Sequence, residues 1–494
     1  MANISLTSGA PGHEPASKGP GVTIDAVDPI DSKVHAAKFS TKRKIHVVVA
    51  GLACAFNGSF GTSMPSGALD AISSHFGVYD QVQLTLLNSL NLAGFVVGPL
   101  FFGPLSEYIG RRPVMISTFF GYLVFMLACS GAPNYTALLI FRLLCGLNAA
   151  APMAVIGGLY ADVLDDPSER GTAMSLYLAI SGIGPLLGPF VSGFASQASW
   201  RWAFWAAALI AVPTLPLVLT LPETFAPVLH NREIHKRRKN GEEGIEEAQM
   251  TELHPFDARE IFLRPVVMMA TEPILSLSSL YLTLTNSLFY ISFQAYPLVF
   301  EGMYHLRTEI AGLTYLPIAL GSVIAFLGFM VYTPWYDRSK AAGKPWAQRE
   351  INRRLPIACF AAPLLVIALF WFGWTSKPSI SPYVPAIGGF FSGAGFLLIF
   401  MSILNYITDV FREASASAHA GAGCMRSLGA IVIPLAAGPM YDRLGVHWAQ
   451  SLLGFLSLVM GAIPFFFMKY GERLMQKSKA AQGGNTIKGE SVMI

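Results

Sequence analysis

The sequence predicts an all-α integral membrane protein: twelve transmembrane helices in two six-helix bundles, both termini cytoplasmic. Three observations carry that prediction: the scarcity of charge, the length of the uncharged apolar runs, and the one-sided placement of Lys and Arg. Only 13% of the 494 residues are charged and 53% are hydrophobic, whereas a soluble domain carries about 25% charged residues. Mean hydropathy is +0.49. Apolar runs of about 20 residues can cross a hydrocarbon core about 30 Å thick. A soluble enzyme, a secreted disulfide scaffold and a disordered regulator are thereby excluded. Backbone groups in lipid must be satisfied within their own segment, and these runs do not alternate as barrel strands do, so they form helices.

The windows fall at 45–66, 83–103, 114–132, 136–157, 172–194, 202–221, 266–291, 311–333, 355–375, 382–407, 418–439 and 448–468. Within them the only charged residues are Arg142, Glu272 and Arg426. The long loop 222–265 splits the windows six and six. The chain thus divides into a disordered cytoplasmic tail 1–44, a bundle 45–221, a charged cytoplasmic linker 222–265, a bundle 266–468 and a cytoplasmic tail 469–494. The linker carries the basic run His230 to Lys239 and then Glu242, Glu243, Glu246 and Glu247. A solvated, topology-fixing loop is the expectation, with anionic lipid binding as the alternative.

The placement of positive charge supports this arrangement. Of 34 Lys and Arg, all but five fall in the tails, in the even-to-odd loops or at the cytoplasmic mouth of a helix. The exceptions are Arg201, Arg307, Lys377 and Arg443 on the opposite side and Arg142 inside the fourth helix. That bias puts both ends in the cytoplasm. None of the eight Trp falls at a helix centre, as an interfacial belt requires. Residues 1–41 are polar, and the run from Ile45 is too long for a signal peptide, so no cleaved signal is expected. Five cysteines lie in or beside apolar runs and are expected to be packing residues rather than disulfides or metal ligands.

Three strings carry more information than hydropathy. Between the second and third windows stands Gly103-Pro-Leu-Ser-Glu107-Tyr-Ile-Gly110-Arg111-Arg112. Gly103 and Gly110 allow a tight turn. Glu107 sets a carboxylate beside two guanidinium groups that keep their charge, and it could cap a neighbouring helix N-terminus. The fourth window holds Arg142 within Arg142-Leu-Leu-Cys-Gly-Leu-Asn148, and a charge in a span marks a functional candidate. The fifth reads Gly182-Ile-Gly184-Pro185-Leu-Leu-Gly188-Pro189, with small residues on one face for close helix contact and prolines to bend it.

Together these strings resemble the signatures of the major facilitator superfamily. The resemblance implies a gate latch of Glu107 with Arg111, with Arg112 nearby, and a proton-coupling role for Arg142; a structural arginine bonded to carbonyls is the alternative. The Gly184, Pro185, Gly188, Pro189 string is similar to the antiporter signature of the family's exporters, although Pro189 stands in place of the final glycine. Further strings resemble the fungal twelve-span drug:proton antiporters: Trp200-Arg-Trp-Ala-Phe-Trp205, Leu221-Pro-Glu-Thr-Phe-Ala-Pro-Val-Leu229, Phe293 to Phe300, Arg426-Ser-Leu-Gly and Gly445 to Gly454. In the second half the corresponding loop, around Tyr336-Asp337-Arg338, is degenerate and takes no role.

In that family helices one, four, seven and ten line a central cavity near the midplane. The polar and aromatic candidates there are Asn57, Asn148, Asn286, Phe289, Tyr290, Phe293, Gln294 and Asn405. Asn286, Tyr290 and Gln294 share one helix face. Each is as compatible with interhelical packing as with ligand contact. No Asp or Glu lies near a helix centre, which disfavours polycations and favours neutral lipophilic compounds or organic anions, with Arg142 expected as the only deep positive charge. It also leaves the proton carrier unassigned.

The resulting expectation is proton-driven export of drugs, secondary metabolites or organic acids. Uptake of a nutrient or organic acid by the same fold is the alternative, and a membrane sensor or enzyme a remote one. Scattered histidines argue against a metal or catalytic centre, and no phosphate-binding loop is present, so no cofactor and an ion gradient rather than ATP are expected. A monomer in the plasma membrane, or in the vacuolar or another internal membrane, with no nucleic-acid partner completes the expectation. Asn134-Tyr-Thr136 is a sequon in a loop too short to favour modification.

Overall fold

The computed structural model describes residues 36–239, 258–349, 353–411 and 415–477, and among them there is no β-strand. The tail residues 1–35 and 478–494 and the acidic part of the linker lie outside the described residues. The long helices are α1 (Thr41–Ser63), α2 (Gln81–Ile109), α3 (Arg111–Ser130), α4 (Tyr135–Val163), α5 (Pro167–Ala195), α6 (Arg201–Ala211, resuming at Thr214–Leu219), α7 (Pro273–Met303), α8 (Thr308–Ala341), α9 (Leu355–Thr375), α10 (Tyr383–Phe411), α11 (Ser415–Leu435) and α12 (Ala437–Lys477). Ten of them are long and apolar enough to cross a membrane. The other two are α6, interrupted at Val212-Pro213, and α11, which carries His419, Arg426 and many small residues. Phe101, Phe120, Val331 and Val459 point outward and exposed, as lipid-facing side chains do.

Several boundaries differ from the sequence expectation. Residues 266–271 belong to a separate helix, Ala258–Thr271, which ends before Glu272; Pro273 then opens α7. Proline suits a first helical turn because its missing N–H would have no partner there. Glu272 is therefore the N-cap of α7, not a charge within it. At its far end α7 continues past the window's limit at 291 and past Pro297 in a π-helical turn, Leu298–Met303, which keeps Gln294 within the helix as its shared face with Asn286 requires. The linker's basic run forms the helix Ala226–Lys239. The 41-residue α12 is two helices joined at Gly445, whose φ of 68° and ψ of 168° break the ladder.

The packing repeats with an offset of six helices. In the first set α2 lies on α4, α1 on α5, and α3 on both α4 and α6; in the second α8 lies on α10, α7 on α11, and α9 on both α10 and α12. Buried apolar side chains form two clusters, one within residues 36–221 and one within 268–467 joined by Ala179 and Leu186 of α5. The closest crossings repeat as well. A methyl group on Gly94 or Gly146 would overlap the α2–α4 backbone, and one on Gly321 or Gly393 the α8–α10 backbone. Without a hydrophobic drive between helices in lipid, such close approach supplies the packing energy.

The two sets meet through α2 with α11 and α5 with α8. At the end where α5 and α7 finish, Gly193 faces Thr308 and Gly312 faces Pro189. There Asp70, in the short helix Leu69–Phe76, comes close to Glu301 of α7. That end of the seam is closed.

Candidate functional site

The turn between α2 and α3 is a single residue. Gly110 takes φ 104°, a conformation that L side chains resist, and α3 starts at once with Arg111. Gly103 plays no part in the turn; it lies inside α2 against Ala154 of α4. The abrupt start leaves the first N–H groups of α3 without helical acceptors. Glu223, 4% exposed, fills that role: Oε1 accepts from the Arg111 N–H at 3.0 Å and Oε2 from the Arg112 N–H at 3.3 Å. A carboxylate at a helix N-terminus is favoured by both hydrogen bonds and dipole. The cap is thus Glu223 and not Glu107.

Arg111 folds back under this turn. Its Nη1 donates to Ser106 Oγ at 2.6 Å, its Nε reaches Asp162 Oδ2 at 3.5 Å, and its guanidinium carbon sits 5.0 Å from the Phe225 ring centre. Thr224 donates to the same Asp162 oxygen at 3.2 Å. Glu107 is the looser partner: its Oε1 is 3.8 Å from Arg111 Nη2, and its side chain is 66% exposed. Arg112 donates to the Leu219 carbonyl at 3.2 Å. The arginines therefore tie α2, α3, α4 and the segment after α6 into one unit, while the Glu107 carboxylate faces outward.

Arg142 is completely buried. It donates to three carbonyls: Leu87 at 3.0 Å, Gly61 at 2.8 Å and Thr62 at 2.6 Å. Two of these lie in the last turn of α1, where carbonyls lack helical donors and a cation complements the dipole. Asn91 donates to Arg142's own carbonyl at 3.1 Å. Among the described residues no carboxylate pairs with Arg142.

In α5 the prolines create a need that α1 answers. Pro189 has no N–H, so the Pro185 carbonyl loses its helical donor. Ser63 of α1 donates its hydroxyl there at 2.5 Å. Gly184 and Gly188 let the helices approach this closely, since a methyl on either would overlap Ser59 or Ser63.

The cavity candidates divide. Asn57 turns toward α6, donating to Thr214 Oγ1 at 2.9 Å, and Asn148 donates to Leu144 within α4 at 2.8 Å with its amide against Gly121 of α3. Asn286 donates to the Arg426 carbonyl at 3.4 Å and Gln294 to the Pro434 carbonyl at 2.9 Å, so both face α11. Asn405 donates to Met401 in its own helix at 2.7 Å. Phe289 stacks on Phe396 at 4.4 Å and Phe293 on Tyr315 at 5.5 Å, with Tyr290 edge-on to Phe289. Arg142 is not the only deep positive charge. Arg426 lies midway along α11, 7% exposed, not at a helix mouth.

A model of the Major Facilitator Superfamily matches residues 51–421. The chain belongs to the major facilitator superfamily. It is 34% identical over 490 residues to the MFS-type transporter traF of Penicillium crustosum, covering 97% of this chain and 98% of the relative. It is 35% identical over 453 residues to the efflux pump FUBT of Fusarium oxysporum, covering 90% and 76%. The citrinin biosynthesis cluster MFS transporter mrr1 of Monascus ruber is 36% identical over 430 residues, with 85% of each chain covered. The relatives are named as transporters and efflux pumps, not as enzymes.

For a major facilitator chain, the residues that sequence reasoning missed are Asp162, Glu223 and Phe225, which hold the arginine turn. Glu223 stands in the string Leu221-Pro-Glu-Thr-Phe, quoted above with no role. Its signal was a lone carboxylate just past an apolar run. Nothing local says that it folds back onto α3.

Proposed function

We propose that this chain is a secondary active transporter that exports small organic molecules, namely drugs, secondary metabolites or organic acids, by proton antiport with alternating access. In this reading all twelve long helices span the bilayer as two six-helix bundles, 45–221 and 266–468, with both termini cytoplasmic. The protein acts as a monomer in the plasma membrane and needs no cofactor. Protons are the coupling ion. The closed end of the seam is then the external one.

The observation that carries the reading is the position of α5. Its Gly184-Pro185 and Gly188-Pro189 face lies against α1 of its own set, while Pro189 and Gly193 touch α8 of the other. A bent helix with small residues toward both sets suits a joint about which one bundle rocks over the other. The relatives named as efflux pumps favour export as its direction. Flux in proteoliposomes with an imposed pH gradient tests this. Accumulation of a substrate against its gradient, abolished by an uncoupler, is expected; flux that merely equilibrates whatever the pH gradient makes the protein a facilitator.

A further inference from the structure

The second deep arginine differs from the first in one respect. Arg142 spends its guanidinium on three carbonyls. Arg426, more than nine-tenths buried, makes no hydrogen bond or ion pair through its guanidinium among the described residues; what faces it is the ring of Phe400, 4.8 Å from the guanidinium carbon. Guanidinium keeps its charge at any physiological pH. At this depth an unpaired charge is costly and needs a partner. With no hydrogen-bond or ion-pair partner among the described residues, its nitrogens are donors left for a ligand.

The surroundings define what fits. Arg426 lies about 16 Å along α11 from Ser415, Tyr177 about 15 Å along α5 and Phe400 about 16 Å from the end of α10, so all three are well inside their helices. Tyr177 from the first set and Tyr290, His419 and Cys424 from the second lie within electrostatic reach of the guanidinium. Asn286 holds the Arg426 backbone. Phe400 stacks on Phe396, which stacks on Phe289. One fixed positive charge thus lies at the seam of the two sets with aromatic walls around it.

The geometry points to a substrate site in which Arg426, with the Phe400 ring against it, binds the carboxylate, or an equally acidic group, of a lipophilic aromatic monoanion. Arg offers a planar pair of donors that matches a carboxylate. The phenylalanine faces take the apolar body. Among the described residues no second Lys or Arg and no carboxylate acts on Arg426, which disfavours polyanions and cations. The inference rests on the transporter reading and narrows its cargo to organic acids.

The test compares 2-naphthoate with its uncharged amide, 2-naphthamide, binding to the purified protein in nanodiscs and crossing proteoliposome membranes. Wild type should bind the acid about tenfold or more tightly than the amide. Arg426→Gln should lose that preference while still binding the amide, and Arg426→Lys should keep part of it. Equal affinity of wild type for acid and amide overturns the site without any variant, so a misfolded substitution cannot shield it. A preference that survives in Arg426→Gln also overturns it. If the acid is bound selectively but never driven by the pH gradient, the anion site stands and the antiport reading fails. If acid and amide are exported and bound alike, export stands and the anion site fails.

Discussion

The Glu223 carboxylate accepts the main-chain N–H of Arg111 at 3.0 Å, across 112 positions of sequence. This one contact closes the end of α6 onto the start of α3 and holds the arginine turn in place. Glu223→Ala would leave those N–H groups buried without an acceptor. We expect a loss of about 2 kcal/mol, read as a lower melting temperature in detergent. Unchanged melting would show that water replaces the carboxylate there.

Glu107 should behave in the opposite way. Its side chain is mostly exposed and its contact with Arg111 is long, so Glu107→Gln should alter stability by less than about 0.5 kcal/mol. Export should nevertheless slow if the carboxylate finds its partner in another access state. A variant with full transport rate removes Glu107 from the gate.

Arg142→Lys separates two roles. Lysine cannot reach three carbonyls in a planar fork, so a merely structural arginine predicts lower stability with coupling intact in the protein that folds. A coupling arginine predicts that substrate exchange persists while the pH gradient no longer drives accumulation. Comparing counterflow with gradient-driven flux on the same vesicles decides between them.

Close helix crossings predict a sharp contrast between glycines of α4. Gly146→Ala would push a methyl into the Asn91 carbonyl, whereas Gly157 has open space around it. Gly146→Ala should cost about 1–3 kcal/mol or prevent folding, and Gly157→Ala should leave the melting temperature nearly unchanged.

Cross-linking tests the closed end of the seam. Asp70 and Glu301 meet there from the two sets. A cysteine pair at these positions, in a background with Cys424 replaced, should link readily and stop export, with activity restored on reduction. Full export by the linked protein would mean that this end does not open during transport.

Composition and charge placement by themselves decide that this is a multi-helix membrane protein, because charge is too costly in lipid to be misplaced. Local strings were legible because each breaks a local rule: Gly110 takes a positive φ, Arg142 is a charge in an apolar run, and the prolines of α5 remove helical donors, although the groups that answer Arg142 and α5 are remote in sequence. Helix ends were less legible. Hydropathy does not register that Pro273 opens a helix, or that α7 runs through Pro297.

Only the tertiary structure decides which partner each polar group takes. The side chains of Asn286 and Gln294 share a face in sequence, but that α11 receives both depends on how the helices pack. Glu223 reaches α3, and Arg142 is satisfied where Arg426 is not, because hydrogen-bond acceptors come from helices remote in sequence. A one-dimensional pattern records how much polarity a helix carries. It does not record which neighbour satisfies it.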